Sequence, residues 1–128
     1  ILIDNEHEAL ILAGSLGWSE TEPDAIARRI DGERGIACIV TLGSAGAVGW
    51  HGGVRRRLEA PVVDAVDTVA AGDSFVGAFA AALQAGFGFS GALQRGLAAG
   101  SLACTIAGAQ PSVPRREAIE ALVGKSVL

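Results

Sequence analysis

The stretch Asp67-Thr68-Val69-Ala70-Ala71-Gly72-Asp73 combines the residue types that could bind an anion and act on it. Its small residues lead into an amphipathic run from Ser74 to Leu83, so we expect a helix to begin at this point. The free N–H groups at a helix N-terminus attract anions, and Asp73 would place a carboxylate beside them. A carboxylate at such a site can take the proton of a nucleophile that attacks a bound phosphate.

A simpler interpretation of the same stretch is that Asp73 caps the helix and has no chemical role. A cap needs only one side chain, whereas the two alanines and the glycine before Asp73 suit the close approach of a backbone to a ligand. The residues themselves leave both interpretations open.

The spacing of apolar residues predicts an α/β domain with the element order β-α-α-β-β-β-α-α-α. We expect strands at Ile1–Ile3, Ile36–Leu42, Ala47–His51 and Val54–Glu59, and helices at Glu6–Ala13, Pro23–Ile30, about Gly72–Ala85, Ser90 to about Ile106, and Pro114–Val123. Gly14 and Asp31-Gly32 are expected to end the first two helices. Gly52-Gly53 predicts a hairpin turn, and Ser90 is a candidate helix cap.

The composition argues against several classes of protein. The chain has 128 residues and a net charge of −4, and Arg55-Arg56-Arg57 is its only strong basic cluster, so nucleic-acid binding is not expected. Cys38 and Cys104 are far apart and are interpreted as free buried thiols of a cytosolic protein. His7 and His51 fit no metal-ligand spacing with them. No apolar stretch is long and pure enough to predict a membrane span.

Gly86-Phe87-Gly88-Phe89-Ser90-Gly91 matches a G-x-G-x-x-G pattern, but its context is wrong for a dinucleotide site. The segment is predicted to join two helices instead of following a strand. We interpret it as a helix–helix connection.

The run from Asp67 to Phe79, DTVAAGDSFVGAF, resembles the C-terminal signature of the ribokinase-like (PfkB) sugar kinases, D-T-x-[GA]-A-G-D-x-F-x-G-A. Three more segments resemble that family in the same order. Asn5–Glu8 is similar to its N-x-x-E element, Thr41–Gly46 to its T-L-G-x-x-G nucleotide loop, and Gly108–Pro114 to its G-A-x-P-S-[VI]-P segment. The four matches extend over nearly the whole chain.

This resemblance implies a ribokinase-like three-layer α/β/α fold with a largely parallel central sheet. It implies that residues 1–128 are the C-terminal, nucleotide-binding half of a kinase domain, without the sugar-binding half and lid, and that this half is inactive alone. The full enzyme would be a cytoplasmic homodimer that transfers the γ-phosphoryl group of ATP to a primary hydroxyl of a small sugar. Ribose is the sugar that the resemblance favours. The alternatives are a fructose, nucleoside or hydroxymethylpyrimidine acceptor, or a nucleotide-binding module without catalysis.

The resemblance also assigns roles at the phosphoryl site. Asp73 would be the catalytic base, and the N–H groups of Ala70, Ala71, Gly72 and Asp73 would form an anion hole. Asn5 and Glu8 would act near the phosphates and Mg²⁺, Glu8 through a water molecule. Asn5 could equally cap the first helix.

Two further ligand sites follow from the resemblance. The ATP contacts would come from Gly72, Leu97 and the loop residues Thr41, Leu42, Gly43, Ser44, Ala45 and Gly46, although a plain β-turn also explains that loop. A monovalent cation, K⁺, would be held by oxygen atoms only. Those oxygens would come from the Asp67 carboxylate, the carbonyls of Val69, Ala103, Ile106 and Gly108, and the hydroxyl of Ser112.

Overall fold

The computed structural model describes residues 1–127, and its internal contacts divide the chain into unit 1, Ile1–Leu58, and unit 2, which starts at Glu59. The predicted order of strands and helices is confirmed, and with it the α/β class. Among the described residues, no helix combines the length and the apolar character needed to cross a bilayer.

Unit 1 is a four-stranded sheet with two helices. Its elements are β1 (Leu2–Asn5), α1 (Glu6–Ser15), α2 (Pro23–Arg34), β2 (Cys38–Thr41), β3 (Ala47–His51) and β4 (Val54–Leu58). The strands lie in the order β1-β2-β3-β4. β1 and β2 are parallel, as expected for strands joined through helices, and the other two pairings are antiparallel. The sheet of this unit is therefore mixed.

The core of unit 1 lies between the sheet and its two helices. Small residues of α1, Ala9 and Ala13, and the larger Ile26 of α2 are fully or almost fully buried against Val40 and Val48. β2 is apolar and buried at three successive positions, and it is one of the two inner strands of the sheet.

Both helices of unit 1 are longer than predicted. α1 continues through Gly14 to Ser15, and α2 continues through Asp31 to Arg34. The residue that ends α2 is Gly35, which has a φ of 63° in the left-handed region. Asp31 does not stop the helix because its carboxylate points out of it and accepts hydrogen bonds from the β3–β4 turn.

Unit 2 is helical. Its elements are α3 (Ala71–Gln84), α4 (Gly88–Ala103) and α5 (Arg116–Val127). α3 and α4 pack through Phe75 and Phe79, which are 3% and 2% exposed, and the ring of Phe79 meets Phe89 edge-on. The predicted helix–helix connection is confirmed at Ala85, Gly86 and Phe87, whereas residues 88–91 belong to the first turn of α4.

The predicted limits of the last two helices are wrong. α4 begins at Gly88, before Ser90, and ends at Ala103 instead of near Ile106, so Ser90 is not its cap. α5 begins at Arg116, after the predicted start at Pro114. Within α5, Ala118 is exposed, whereas Val123 is buried.

The two cysteines are free thiols. Cys38 is buried, and Cys104 is half-buried instead of buried as predicted. Burial, together with the charges of Asp4 and Asp31, raises the pKa of the Cys38 thiol to about 12, so this thiol is unreactive at neutral pH.

Candidate active site

The start of α3 contains a carboxylate that does not cap the helix. The N-cap residue is Ala70, and no side chain bonds to the first turn. Asp73 lies within that turn, three residues after the cap, and is exposed. The interpretation of Asp73 as the cap is therefore wrong, and its carboxylate remains accessible.

Several N–H groups around the start of α3 have no backbone acceptor. Ala71 donates to the Thr68 carbonyl at 3.2 Å and Ser74 donates to the Ala70 carbonyl at 3.0 Å. Within residues 1–127, no backbone carbonyl is seen to accept from Ala70, Gly72 or Asp73. Such N–H groups at a helix start carry partial positive charge and can bind an anion.

The chain itself supplies no steric reason for glycine at position 72. Gly72 has no positive φ, and a Cβ added there would meet no atom of the described chain within 4 Å. A side chain would instead occupy the open space next to the unbonded N–H groups. This space suits a ligand that approaches the backbone closely.

Asp67 joins the loop before α3 to the loop after α4. Its Oδ1 accepts from the N–H of Val69 at 3.1 Å, and its Oδ2 accepts from the N–H of Gly108 at 2.9 Å. Both bonds lower the pKa of the Asp67 carboxyl below its ordinary value of 3.8, and the bond from Gly108 has the larger effect. The carboxylate is therefore held ionised and fixed between the two loops.

The end of α4 holds the chain that leads to this site. The carbonyl of Cys104 accepts from the N–H groups of Val66 and Asp67, at 2.7 and 3.1 Å. The hydroxyl of Ser101, which is 8% exposed, donates to the Pro61 carbonyl at 3.2 Å. The sequence did not reveal these contacts, because a single serine in an apolar helix and a backbone carbonyl at its end carry no sequence pattern.

The oxygen atoms assigned to the monovalent cation lie on the same segments of unit 2. Ser112 is 1% exposed, and its hydroxyl donates to the Ala109 carbonyl at 2.6 Å, which leaves its oxygen lone pairs available. In the described part of the chain, no backbone N–H is seen to donate to the carbonyls of Val69, Ile106 or Gly108. Oxygens of this kind fit a hard cation.

In unit 1, the parallel register places Asn5 directly beside Thr41 at the carboxyl ends of β1 and β2. Ligands of open α/β sheets bind outside such strand ends. Asn5 caps α1, because its side chain accepts from the N–H of Glu8 at 2.8 Å and Glu8 Oε2 accepts from the N–H of Asn5 at 3.0 Å. The capping interpretation is confirmed, and Glu8 Oε1 is not used by this pair of bonds.

The loop Thr41–Gly46 is a tight turn closed by its own backbone. It contains a 3₁₀ turn at Gly43–Ala45, and the N–H of Leu42 donates to the Gly46 carbonyl at 2.8 Å. Gly43 and Gly46 have φ values of 59° and 103°, which only glycine adopts readily. The turn therefore accounts for both glycines without a ligand, and the nucleotide role of Thr41–Gly46 stays a prediction.

Asp4 is a site feature that the sequence analysis missed. One of its carboxylate oxygens is buried without a hydrogen-bond partner among the described residues. Burial, and then the charge of Glu8, raises the pKa of this carboxyl above 3.8. No spacing rule distinguishes such an aspartate, because its environment arises only when β1 pairs within the sheet.

Leu97 offers little surface to a nucleotide, because it is 6% exposed within α4. Its predicted contact with adenine stays a prediction. A cavity of about 320 Å³ in unit 2 is lined by Asp73, by small residues of α3 and by Arg95, which is already paired with Glu120. Asp73 therefore borders this cavity as well as lying in the first turn of α3.

The sequence of this chain is similar to those of known carbohydrate kinases. The model of the pfkB family of carbohydrate kinases matches residues 1–116. The ribokinase of Haemophilus influenzae is 36% identical over 118 residues, which cover 91% of this chain and 38% of that enzyme.

Two solved structures are similar in fold. The ribokinase of Thermotoga maritima superposes with a TM-score of 0.88 at 35% identity, over 96% of this chain and 42% of that one. The ribokinase of Arabidopsis thaliana, solved in complex with ribose and ATP, superposes with a TM-score of 0.81 at 30% identity, over 95% and 40%. The chain thus spans about two fifths of the length of these relatives. With the family model matching most of its length, the chain belongs to the pfkB family of carbohydrate kinases.

Proposed function

We propose that residues 1–128 form the C-terminal, nucleotide-binding half of an ATP-dependent sugar kinase and that ribose is its acceptor. The observation that carries this proposal is the start of α3, where the unbonded N–H groups of Gly72 and Asp73 adjoin an accessible carboxylate. Membership of a carbohydrate kinase family supports it.

In this proposal, the N–H groups of Ala70, Gly72 and Asp73 hold the transferring phosphoryl group. Ala71 contributes less than the resemblance implies, because its N–H already donates to Thr68. Charge in phosphoryl transfer gathers on peripheral oxygens, so donors fixed in advance stabilise the transition state. The open space at Gly72 allows the phosphate oxygens to reach the backbone.

Asp73 acts as the base. Its carboxylate takes the proton of the sugar's primary hydroxyl, whose oxygen then bonds to the γ-phosphorus as the bond to the departing ADP oxygen breaks. Bound MgATP would supply the γ-phosphoryl group, and its Mg²⁺ would neutralise part of the charge on that group.

The residues of unit 1 fit a supporting role toward MgATP. Asn5 and Thr41 are neighbours at the strand ends, and Glu8 keeps one carboxylate oxygen for a water molecule of Mg²⁺. Thr41, Leu42, Gly43, Ser44, Ala45 and Gly46 would contact the nucleotide.

A monovalent cation, K⁺, would order the loops of unit 2. Asp67 fixes the two loops to each other, and Ser112 is buried where its hydroxyl oxygen can act as a ligand. We place the full-length enzyme in the cytoplasm as a homodimer.

The acceptor is proposed to be ribose because several of the similar proteins are ribokinases. A fructose, nucleoside or hydroxymethylpyrimidine kinase is the alternative within the family. A nucleotide-binding module without catalysis is a second candidate, which the accessible Asp73 disfavours.

The test is an ADP-release assay on the full-length protein with ATP, Mg²⁺ and each of these acceptors. We expect ADP release that depends on ribose, and none from residues 1–128 alone. ADP release with fructose, a nucleoside or a hydroxymethylpyrimidine in place of ribose would correct the acceptor. ATP binding without release toward any acceptor would replace the kinase proposal with the non-catalytic module.

A further inference from the structure

The side chain of Arg95 on α4 ties α5 to that helix. Its Nε and Nη2 donate to the two carboxylate oxygens of Glu120, at 2.8 and 2.9 Å, and its Nη1 donates to the Gly91 carbonyl at 3.1 Å. The guanidinium carbon lies 3.5 Å from the centroid of the Phe87 ring. Arg95 is only 13% exposed, so its planar group is fixed in a single geometry.

The packing around this ion pair is incomplete. The cavity of about 320 Å³ described above is bordered by Arg95 and Glu120, and also by Val113, Pro114 and Ile119. Apolar contacts therefore hold the start of α5 less fully than they hold a close-packed core. The bidentate pair adds two charge-assisted hydrogen bonds between α4 and α5.

The segment that the pair restrains continues into the candidate cation loop. Only Val113, Pro114 and Arg115 separate the 3₁₀ turn Gln110–Ser112 from the first residue of α5. A shift of the start of α5 would therefore reach Ser112 through a connection of only three residues.

We propose that the Arg95–Glu120 pair is a latch that positions the loop Gly108–Ser112 by fixing α5 on α4. The latch acts through the loop, so both members are positioning residues. The consequence for cation binding rests on the function proposed above, whereas the positioning of the loop does not.

The test is amide hydrogen exchange on the full-length protein and on its variants Arg95→Met and Glu120→Gln. We expect exchange at Gly108 and Ser112 to become about tenfold faster in both variants, with the core amides of Val40 and Val48 unchanged. Glu33→Gln is the matched control, since it breaks the exposed Arg29–Glu33 pair of unit 1, also 2.8 Å long, and should leave Gly108 and Ser112 as they are.

Unchanged exchange at Gly108 and Ser112 in Glu120→Gln would overturn the latch, and so would equal acceleration at Val40 and Val48. Glu120 is 42% exposed, so its isosteric replacement keeps the experiment decisive if Arg95→Met does not fold. If the protein phosphorylates a sugar, the variants should need about tenfold more K⁺ for half-maximal activity, with kcat at saturating K⁺ within about twofold. Absence of kinase activity would reject the proposed function, while the exchange data would still decide the latch.

Discussion

The carboxylate of Asp67 accepts a hydrogen bond from the backbone N–H of Gly108, a residue 41 positions later in the chain, at 2.9 Å. The same carboxylate accepts from the N–H of Val69, next to the start of α3. One side chain thus connects the candidate anion site with the candidate cation loop. The two family motifs that contain these residues are therefore physically linked within unit 2.

The Asp67 link should be lost in acid. Hydrogen bonds from Gly108 and then Val69 lower the pKa of this carboxyl in the folded protein. The contribution of the Asp67 carboxylate to folding stability is therefore complete above pH 3.8, the ordinary pKa of the group. It disappears as the pH falls through the lower pKa of Asp67 in the folded protein. In an NMR titration, the Gly108 amide should shift with a midpoint below 3.8. A midpoint at or above 3.8, or the same titration in Asp67→Asn, would contradict the link.

Asp31→Ala should destabilise unit 1. Asp31 is 7% exposed and accepts from the N–H groups of Gly52 and Gly53 at 3.1 and 2.7 Å. Loss of these charge-assisted bonds should lower the free energy of unfolding, measured with urea, by about 1–3 kcal/mol. Glu33→Ala, which breaks an exposed pair, should cost about 0.5 kcal/mol or less. Equal effects of the two substitutions would show that the turn does not depend on Asp31.

Asp4→Val should stabilise the protein at neutral pH. Burial and the charge of Glu8 raise the pKa of Asp4, so the folded state favours the protonated carboxyl. The protonated Asp4 carboxyl makes its full contribution to folding stability below pH 3.8. This contribution is lost as the pH rises through the raised pKa of Asp4 in the folded protein. Tm at pH 7 should therefore rise in the variant, with a smaller gain at pH 3. Asp4→Asn isolates the charge effect. A lower Tm at pH 7 in both variants would show that the charged Asp4 carboxylate does not destabilise the folded protein.

Gly32→Ala and Gly35→Ala should change stability in opposite directions. Both glycines are exposed, and a Cβ at either would meet nothing within 4 Å. Gly32 lies inside α2, where alanine is favoured by about 0.5–1 kcal/mol. Gly35 has a φ of 63°, so alanine there is strained by about 1 kcal/mol. Chemical denaturation of the two variants measures the difference, and a shift of the same sign in both would contradict the helix end at Gly35.

The sequence predicted the order of the elements because β2 is a continuous apolar run and the apolar residues of α3 recur at helical spacing. The strand β4 has no such pattern, and the glycine turn before it indicated its place. The hairpin at Gly52-Gly53 was predicted correctly, because two successive glycines suit the positive φ values of its turn, 58° and 77°. The four family motifs were located by pattern, and the family that they indicate is confirmed.

Helix ends were less predictable, because they depend on contacts between residues that are far apart in the sequence. Asp31 resembles a stop signal in the sequence, yet it continues the helix because its carboxylate bonds to a turn more than 20 residues away. Ser90 resembles a cap, but α4 begins two residues earlier. The tie between Arg95 and Glu120 was likewise unpredictable, since it depends on how α5 packs on α4.

The role proposed for Asp73 is that of the base in a phosphoryl transfer. The measurement is kcat for sugar-dependent ADP release by full-length Asp73→Asn, together with ATP affinity by calorimetry. We expect a loss of kcat of about 10³-fold or more, with ATP affinity within about threefold of the unaltered enzyme. Turnover within about tenfold of the unaltered enzyme, with ATP still bound, would contradict it.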